Sequence, residues 1–181
     1  MKRSKIIGLF LMTIGGLWMA NYNVHSYELE EGYSIRFATS KAEGTFTGLK
    51  GVVQFEPADL SNSKMDVSVD VATIQTGNTK KDNHARGKKW FDAEKFPTMS
   101  FKMASIRRSG TGFVATGKLK VKDVTLEETI AFTYEKKDSE YFLEGVFQVN
   151  RKEYNIKGNL FGFAVGKEVS IYLSVPASFE G

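Results

Sequence analysis

Alternation of apolar and polar residues, repeated along most of the chain, is the feature that most constrains its fold. Tyr33, Ile35 and Phe37 alternate with Ser34, Arg36 and Ala38, and Gly51, Val53 and Phe55 with Val52, Gln54 and Glu56. Met65, Val67, Val69 and Val71 alternate with Asp66, Ser68, Asp70 and Ala72, and Met99, Phe101 and Met103 follow. Phe113 to Val121, Ile130 to Tyr134, Leu143 to Val149 and Val169 to Val175 continue the rule. A period of two puts one set of side chains on a buried face and the other in water. About eight such strands in one domain would leave two long edges unpaired, so closure into an antiparallel barrel is the expected solution.

Turn residues sit between the strands. Glu56-Pro57-Ala58-Asp59 and Ser61-Asn62-Ser63 separate the second and third, while Arg108-Ser109-Gly110-Thr111-Gly112 and Lys136-Lys137-Asp138-Ser139 read as hairpin loops. Only one stretch departs from alternation. Thr79 is expected to cap a short helix, with Asp82 three residues on as in a capping box and Gly87 as the stop. Asp92 is expected to cap a single turn that ends before Pro97, because the residue before proline avoids helical dihedrals. This crossover between the third and fourth strands is placed to cover one mouth of a barrel.

The first residues read as an export signal. Lys2, Arg3 and Lys5 precede an apolar run from Ile6 to Ala20, and Val24 and Ser26 suit cleavage after Ser26. The run is shorter than the ~20 residues of a spanning helix, although a retained anchor is the alternative. Cleavage leaves residues 27–181 as one domain and lowers the net charge from +4 to +1, so the basic balance belongs largely to the signal. A nucleic-acid surface is not indicated. The chain has no cysteine, which excludes disulfides, a thiolate nucleophile and cysteine-based metal sites. Once His25 leaves with the signal, His84 is the single histidine, and a zinc site built on several histidines is excluded.

Two groups of residues are candidates for function. Thr76, Asp82, His84 and Arg86 form the densest polar set. A base at His84 oriented by Asp82 is disfavoured, since residues two apart on a helix do not face each other and no nucleophile is paired with them. The preferred reading gives no catalytic residue: Asp82 caps the helix, and His84 and Arg86 bond loop carbonyls. The second group is the inward apolar set, Phe37, Phe55, Met65, Val67, Val69, Met99, Phe101, Met103, Phe113, Phe132 and Phe147. It forms either a filled core or the wall of a ligand cavity, because a small eight-stranded barrel allows both.

Several runs decide between these readings by resemblance. Ile74-Gln75-Thr76-Gly77-Asn78, Asp82-Asn83-His84, Trp90-Phe91-Asp92 and Lys95-Phe96-Pro97-Thr98-Met99-Ser100-Phe101 resemble the YceI-like family. Its pattern runs from a "dTG" turn through "rD-x-HL" and "FFD" to "kyP-x-itF". Gly117-Lys118-Leu119 with Val124-Thr125 is similar to its hairpin, and Asn150-Arg151-Lys152-Glu153-Tyr154 to its "nRxdFgi" element, so the likeness spans Tyr33 to Val175. Ala85 stands where leucine is usual, Asp123 and Asn155 stand at expected glycines, and Lys120 replaces a threonine. Asp and Asn tolerate left-handed backbone, so the turns are expected to survive. Ala85 is the change expected to alter a lid or the cavity shape.

The resemblance implies an all-β, eight-stranded, antiparallel lipocalin-like barrel with a short helical crossover. It implies a periplasmic or secreted protein that holds a polyisoprenoid or quinone-like lipid and has no catalytic machinery or metal. Under it, the inward apolar set lines the cavity, and Thr76, Asp82, His84 and Arg86 frame the lid. A homodimer stays open. Two readings from other classes compete: an outer-membrane barrel with its apolar face outward, and a small exported hydrolase dependent on His84.

Overall fold

A computed structural model describes residues 32–138, 140–158 and 165–177; the segment read as an export signal lies outside them. The described chain is built mainly of β-strands. In chain order they are β1 (Ser34–Ala38), β2 (Glu43–Phe46), β3 (Leu49–Gln54), β4 (Lys64–Asp70), β5 (Thr98–Ser109), β6 (Gly112–Val121), β7 (Val124–Lys137), β8 (Glu140–Asn150) and β9 (Glu168–Ala177), with helix α1 (Thr79–Arg86) between β4 and β5. All nine form one antiparallel sheet in the order β2-β1-β9-β8-β7-β6-β5-β4-β3.

The two ends of that sheet belong to one bent run. β2 and β3 are separated only by Thr47 and Gly48, and Gly48 bends the chain at φ +75°. The first half of the run pairs with β1 and the second with β4, so a single kinked strand brings the edges together. The free side of β2 is occupied too, because Thr45 and Gln75 exchange backbone hydrogen bonds of 2.8 and 3.0 Å. Counting β2 separately gives nine strands where alternation predicts eight. Glu43–Phe46 is too short to display a period, and it was invisible for that reason.

β5 carries a second irregularity. Its register against β6 shifts between Met103 and Ser105, leaving Ala104 as the extra residue. A bulge inverts the phase of a strand. Met99, Phe101 and Met103 pack inward before it, and Ile106 packs inward after it.

The hairpin turns match the predicted positions with one correction. Asn155 is left-handed at φ 57°, as its place at an expected glycine requires, but in the β6–β7 turn the left-handed residue is Lys122 (φ 56°) and not Asp123. Asp123 instead holds Asn155 across the turn, Nδ2 donating to Oδ1 over 3.4 Å.

Two apolar clusters fill the ends of the barrel. At the end away from α1, Phe55, Phe113 and Phe132 pack with centroids 4.8 to 5.6 Å apart. Tyr134 stacks on Tyr141 at 4.7 Å and touches Phe55. Burial pushes the Tyr134 hydroxyl up to about 12, as expected for a phenol inside an aromatic plug. At the α1 end a second cluster joins Trp90, Val121, Tyr154, Ile156 and Val165.

Candidate functional site

Between the two clusters the barrel is hollow. An apolar cavity of about 270 Å³ runs down its axis, near the lower edge of typical small-molecule sites. Strand alternation supplies the wall: Phe37, Met65, Val67, Val69, Met99, Phe101, Phe132 and Phe147 line it, joined by Ile35, Leu119, Leu143, Ile171, Leu173 and Val175. Phe101, paired with Leu119, leans its ring over the diagonal Gly117 of β6, where a Cβ would fall 2.7 Å from the ring and 2.4 Å from the Lys102 carbonyl.

Phe55, Phe113 and Met103, expected on the same wall, are not among the lining residues. Phe55 and Phe113 are spent on the aromatic plug, and Met103 lies beside the β5 bulge. Alternation assigns a residue to a face, and it does not say whether its neighbours leave space there.

The mouth is at the α1 end. Lys81 and Ala85, one helical turn apart, face the cavity together with Thr39, Thr76, Trp90 and Phe91. Phe91 closes edge-on against Phe46, with centroids 5.9 Å apart. With alanine at position 85, the Lys81 stem supplies much of the helix's apolar cover, in the manner of a lysine that buries its methylenes and keeps its ammonium in water.

The polar set ties this lid down, although not as the capping box predicts. The N-cap is Asn78, whose Oδ1 accepts from the amides of Lys80 and Lys81 at 3.0 and 3.1 Å. A residue one position earlier wins because its side chain already reaches both orphan amides. Asp82 turns instead to the incoming chain. It accepts the Thr76 hydroxyl at 2.6 Å and the Thr76 amide at 2.8 Å. Arg86 completes the tie, donating to the carbonyls of Ala72 (2.8 Å) and Ile74 (3.0 Å), as predicted for that side chain. His84 lies on the exposed side of α1, and of the four polar residues only Thr76 lines the cavity.

The Thr76 hydrogen bond holds the Asp82 carboxyl below the ordinary carboxylate range, with a smaller contribution from Arg86. A depressed folded-state value stabilises the lid at neutral pH, and that contribution is lost as pH falls through it. In a carboxyl-carbon NMR titration, Thr76→Val is expected to move Asp82 up toward its ordinary midpoint of about 3.9. An unmoved midpoint would disconnect Asp82 from this bond.

Two residues of the mouth, Arg151 and Tyr154, carry no signal in the alternation. Arg151 is buried at 5 % exposure and donates to the carbonyls of Ile156 (2.6 Å), Val165 (2.9 Å) and Gly166 (2.9 Å). Its guanidinium lies 5.3 Å from the centre of the Trp90 ring. The edge of that ring presses on Gly158, where a Cβ would fall 2.2 Å from Nε1. Tyr154, 1 % exposed, donates to Glu128 at 2.6 Å. The Asn150-Arg151-Lys152-Glu153-Tyr154 run singles these positions out, but only the structure places them at the cavity. Among the described residues no group of His, Asp and Glu is placed to hold a metal ion.

Residues 23–177 match the family model of the YceI-like domain. The chain belongs to the YceI-like family. Relatives at the sequence level include a UPF0312 protein of Yersinia pestis, 24 % identical over 93 % of this chain and 92 % of that protein. A UPF0312 protein of Photorhabdus laumondii is 27 % identical over 65 % of this chain, a match that spans 63 % of its own length, just under two thirds. Among solved structures, Burkholderia cenocepacia BcnA superimposes with a TM-score of 0.74 at 25 % identity, covering 81 % of this chain and 96 % of BcnA. The Campylobacter jejuni YCEI protein gives 0.65 at 20 % identity over 94 % and 100 %. A polyisoprenoid binding domain from Saccharophagus degradans gives 0.58 at 8 % identity over 83 % and 94 %, a likeness of fold alone. The kinked strand, the hollow axis and the helical lid are therefore features of a YceI-like barrel.

Proposed function

We propose that the chain is an exported binding protein that holds a long apolar ligand, an isoprenoid or quinone-like lipid, inside its barrel. The observation that carries this reading is the cavity itself, walled mostly by apolar side chains, plugged by aromatics at one end and lidded at the other. Protein interiors are close-packed, and a large apolar void forfeits contact energy that a guest restores. Each methylene taken from water into such a wall gains about 0.8 kcal/mol, so shape and area suffice for binding with few polar contacts. The Saccharophagus domain, called polyisoprenoid binding, supports the reading by analogy of fold. Export rests on Lys2, Arg3 and Lys5 ahead of the Ile6–Ala20 run.

The outer-membrane alternative needs an apolar outer band. Val146 is the only large hydrophobic side chain exposed among the described residues, which favours an apolar inside and a polar outside. The test is mass spectrometry of organic extracts of the protein purified from its native host. One prenyl or other long-chain lipid, near stoichiometric with protein, is the expected finding. Lipid-free protein that also fails to bind an apolar dye would return the barrel to a plain structural core.

A further inference from the structure

The segment that roofs the mouth is strongly basic. Between Thr76 and Thr98, Lys80, Lys81, Arg86, Lys88, Lys89 and Lys95 stand against only Asp82, Asp92 and Glu94. Asp82 and Arg86 are engaged with the chain itself. Lys80, Lys88, Lys89 and Lys95 are exposed, and none of them forms an ion pair among the described residues. Around the plugged end the charges are of both signs, and Lys137 there is paired with Glu144. The excess of positive charge thus lies on the lid, beside the mouth of the apolar cavity.

We propose that this lid face docks on an anionic lipid surface and holds the cavity mouth against the bilayer. The proposal rests on the lipid-binding reading above, since it supplies the route by which an insoluble ligand enters. Passing an apolar chain through water costs about a fourfold factor per methylene. A mouth pressed to the membrane avoids that exposure. Each lysine near an anionic leaflet strengthens association by about fivefold at moderate salt, and the attraction weakens as salt screens it. The lid needs no inserted apolar helix for this, and α1 is polar on its outer side.

The full-length chain is tested by flotation with vesicles of phosphatidylcholine alone and of phosphatidylcholine mixed with phosphatidylglycerol. The amino-terminal segment, whose Lys2, Arg3 and Lys5 also favour anionic lipid, is common to all variants and sets the baseline above which the preference is read. Wild type is expected to prefer the anionic vesicles by about tenfold or more, a preference that high salt removes. The triple variant Lys80→Glu, Lys88→Glu, Lys89→Glu is expected to abolish it. Lys64→Glu, Arg107→Glu, Lys136→Glu, with the same change in net charge at the plugged end, is expected to retain it. No preference in wild type, or equal loss in both variants, overturns the docking face. Binding of N-phenyl-1-naphthylamine without vesicles separates the two ideas: an intact dye signal with failed flotation rejects docking alone, whereas no dye binding by wild type rejects the cavity reading beneath it.

Discussion

Replacing Arg151 with alanine is expected to lower the unfolding free energy by about 3 to 5 kcal/mol, the largest single-residue loss foreseen for this barrel. The guanidinium is buried and satisfies three carbonyls, on Ile156, Val165 and Gly166, which belong to two separated stretches of chain. Truncation leaves all three acceptors without their donor, and a buried unpaired polar group costs about 1 to 3 kcal/mol. It also removes the platform against Trp90. For a domain of this size the loss corresponds to a fall in Tm of roughly 10 °C. Arg151→Lys should recover less than half of it, since one ammonium cannot reproduce a planar fork that reaches three carbonyls. Denaturant melts with an unchanged m value would measure both. A loss under about 1 kcal/mol for the alanine variant would mean that the three carbonyls find other partners.

The second large effect concerns binding. Val69 lines the cavity from β4, paired with Leu49 on one side and Met99 on the other. Val69→Trp places an indole in space that a ligand would use, and Leu173→Trp does so from β9. Apolar dye or lipid affinity is expected to fall by at least about tenfold, near 1.4 kcal/mol. Stability should hold, because the added surface fills a void and does not overpack a full core. Thr129→Trp, on an exposed position of β7, is the control and should bind as wild type does. Unchanged affinity in both inward variants would place the ligand somewhere other than the barrel axis.

What the sequence discloses here follows from what alternation encodes. Direction relative to the sheet is written in the period, so Phe37, Met65, Val67, Val69, Met99, Phe101, Phe132 and Phe147 are assigned to the wall without coordinates, and the structure places them there. Depth along the axis is not written. Phe55 and Phe113 share that inward face, yet they close an end, because the choice between wall and plug depends on where neighbouring strands stop. Lid chemistry was partly legible. Arg86 bonds loop carbonyls as its type and place suggest, whereas Asn78 takes the N-cap place that local spacing gives to Thr79, and Asp82 binds Thr76 instead of the helix end. Ala85 stands out as a departure from the family pattern, and Lys81 could have been found from its place one helical turn before it. Arg151 and Tyr154 could not, because both lie just past a strand end, where neither period applies.

The pairing of β1 with β9 has a consequence for how the barrel comes into being. Ser34 lies opposite Ser174, so the first strand can complete its ladder only when the last one has been delivered. Contacts between residues so distant in the chain make closure late and folding slow. Hairpins such as β5–β6 and β6–β7 are free to form early, but the cylinder waits for Glu168–Ala177. A chain of this topology stays an open sheet for as long as its last strand is still to come.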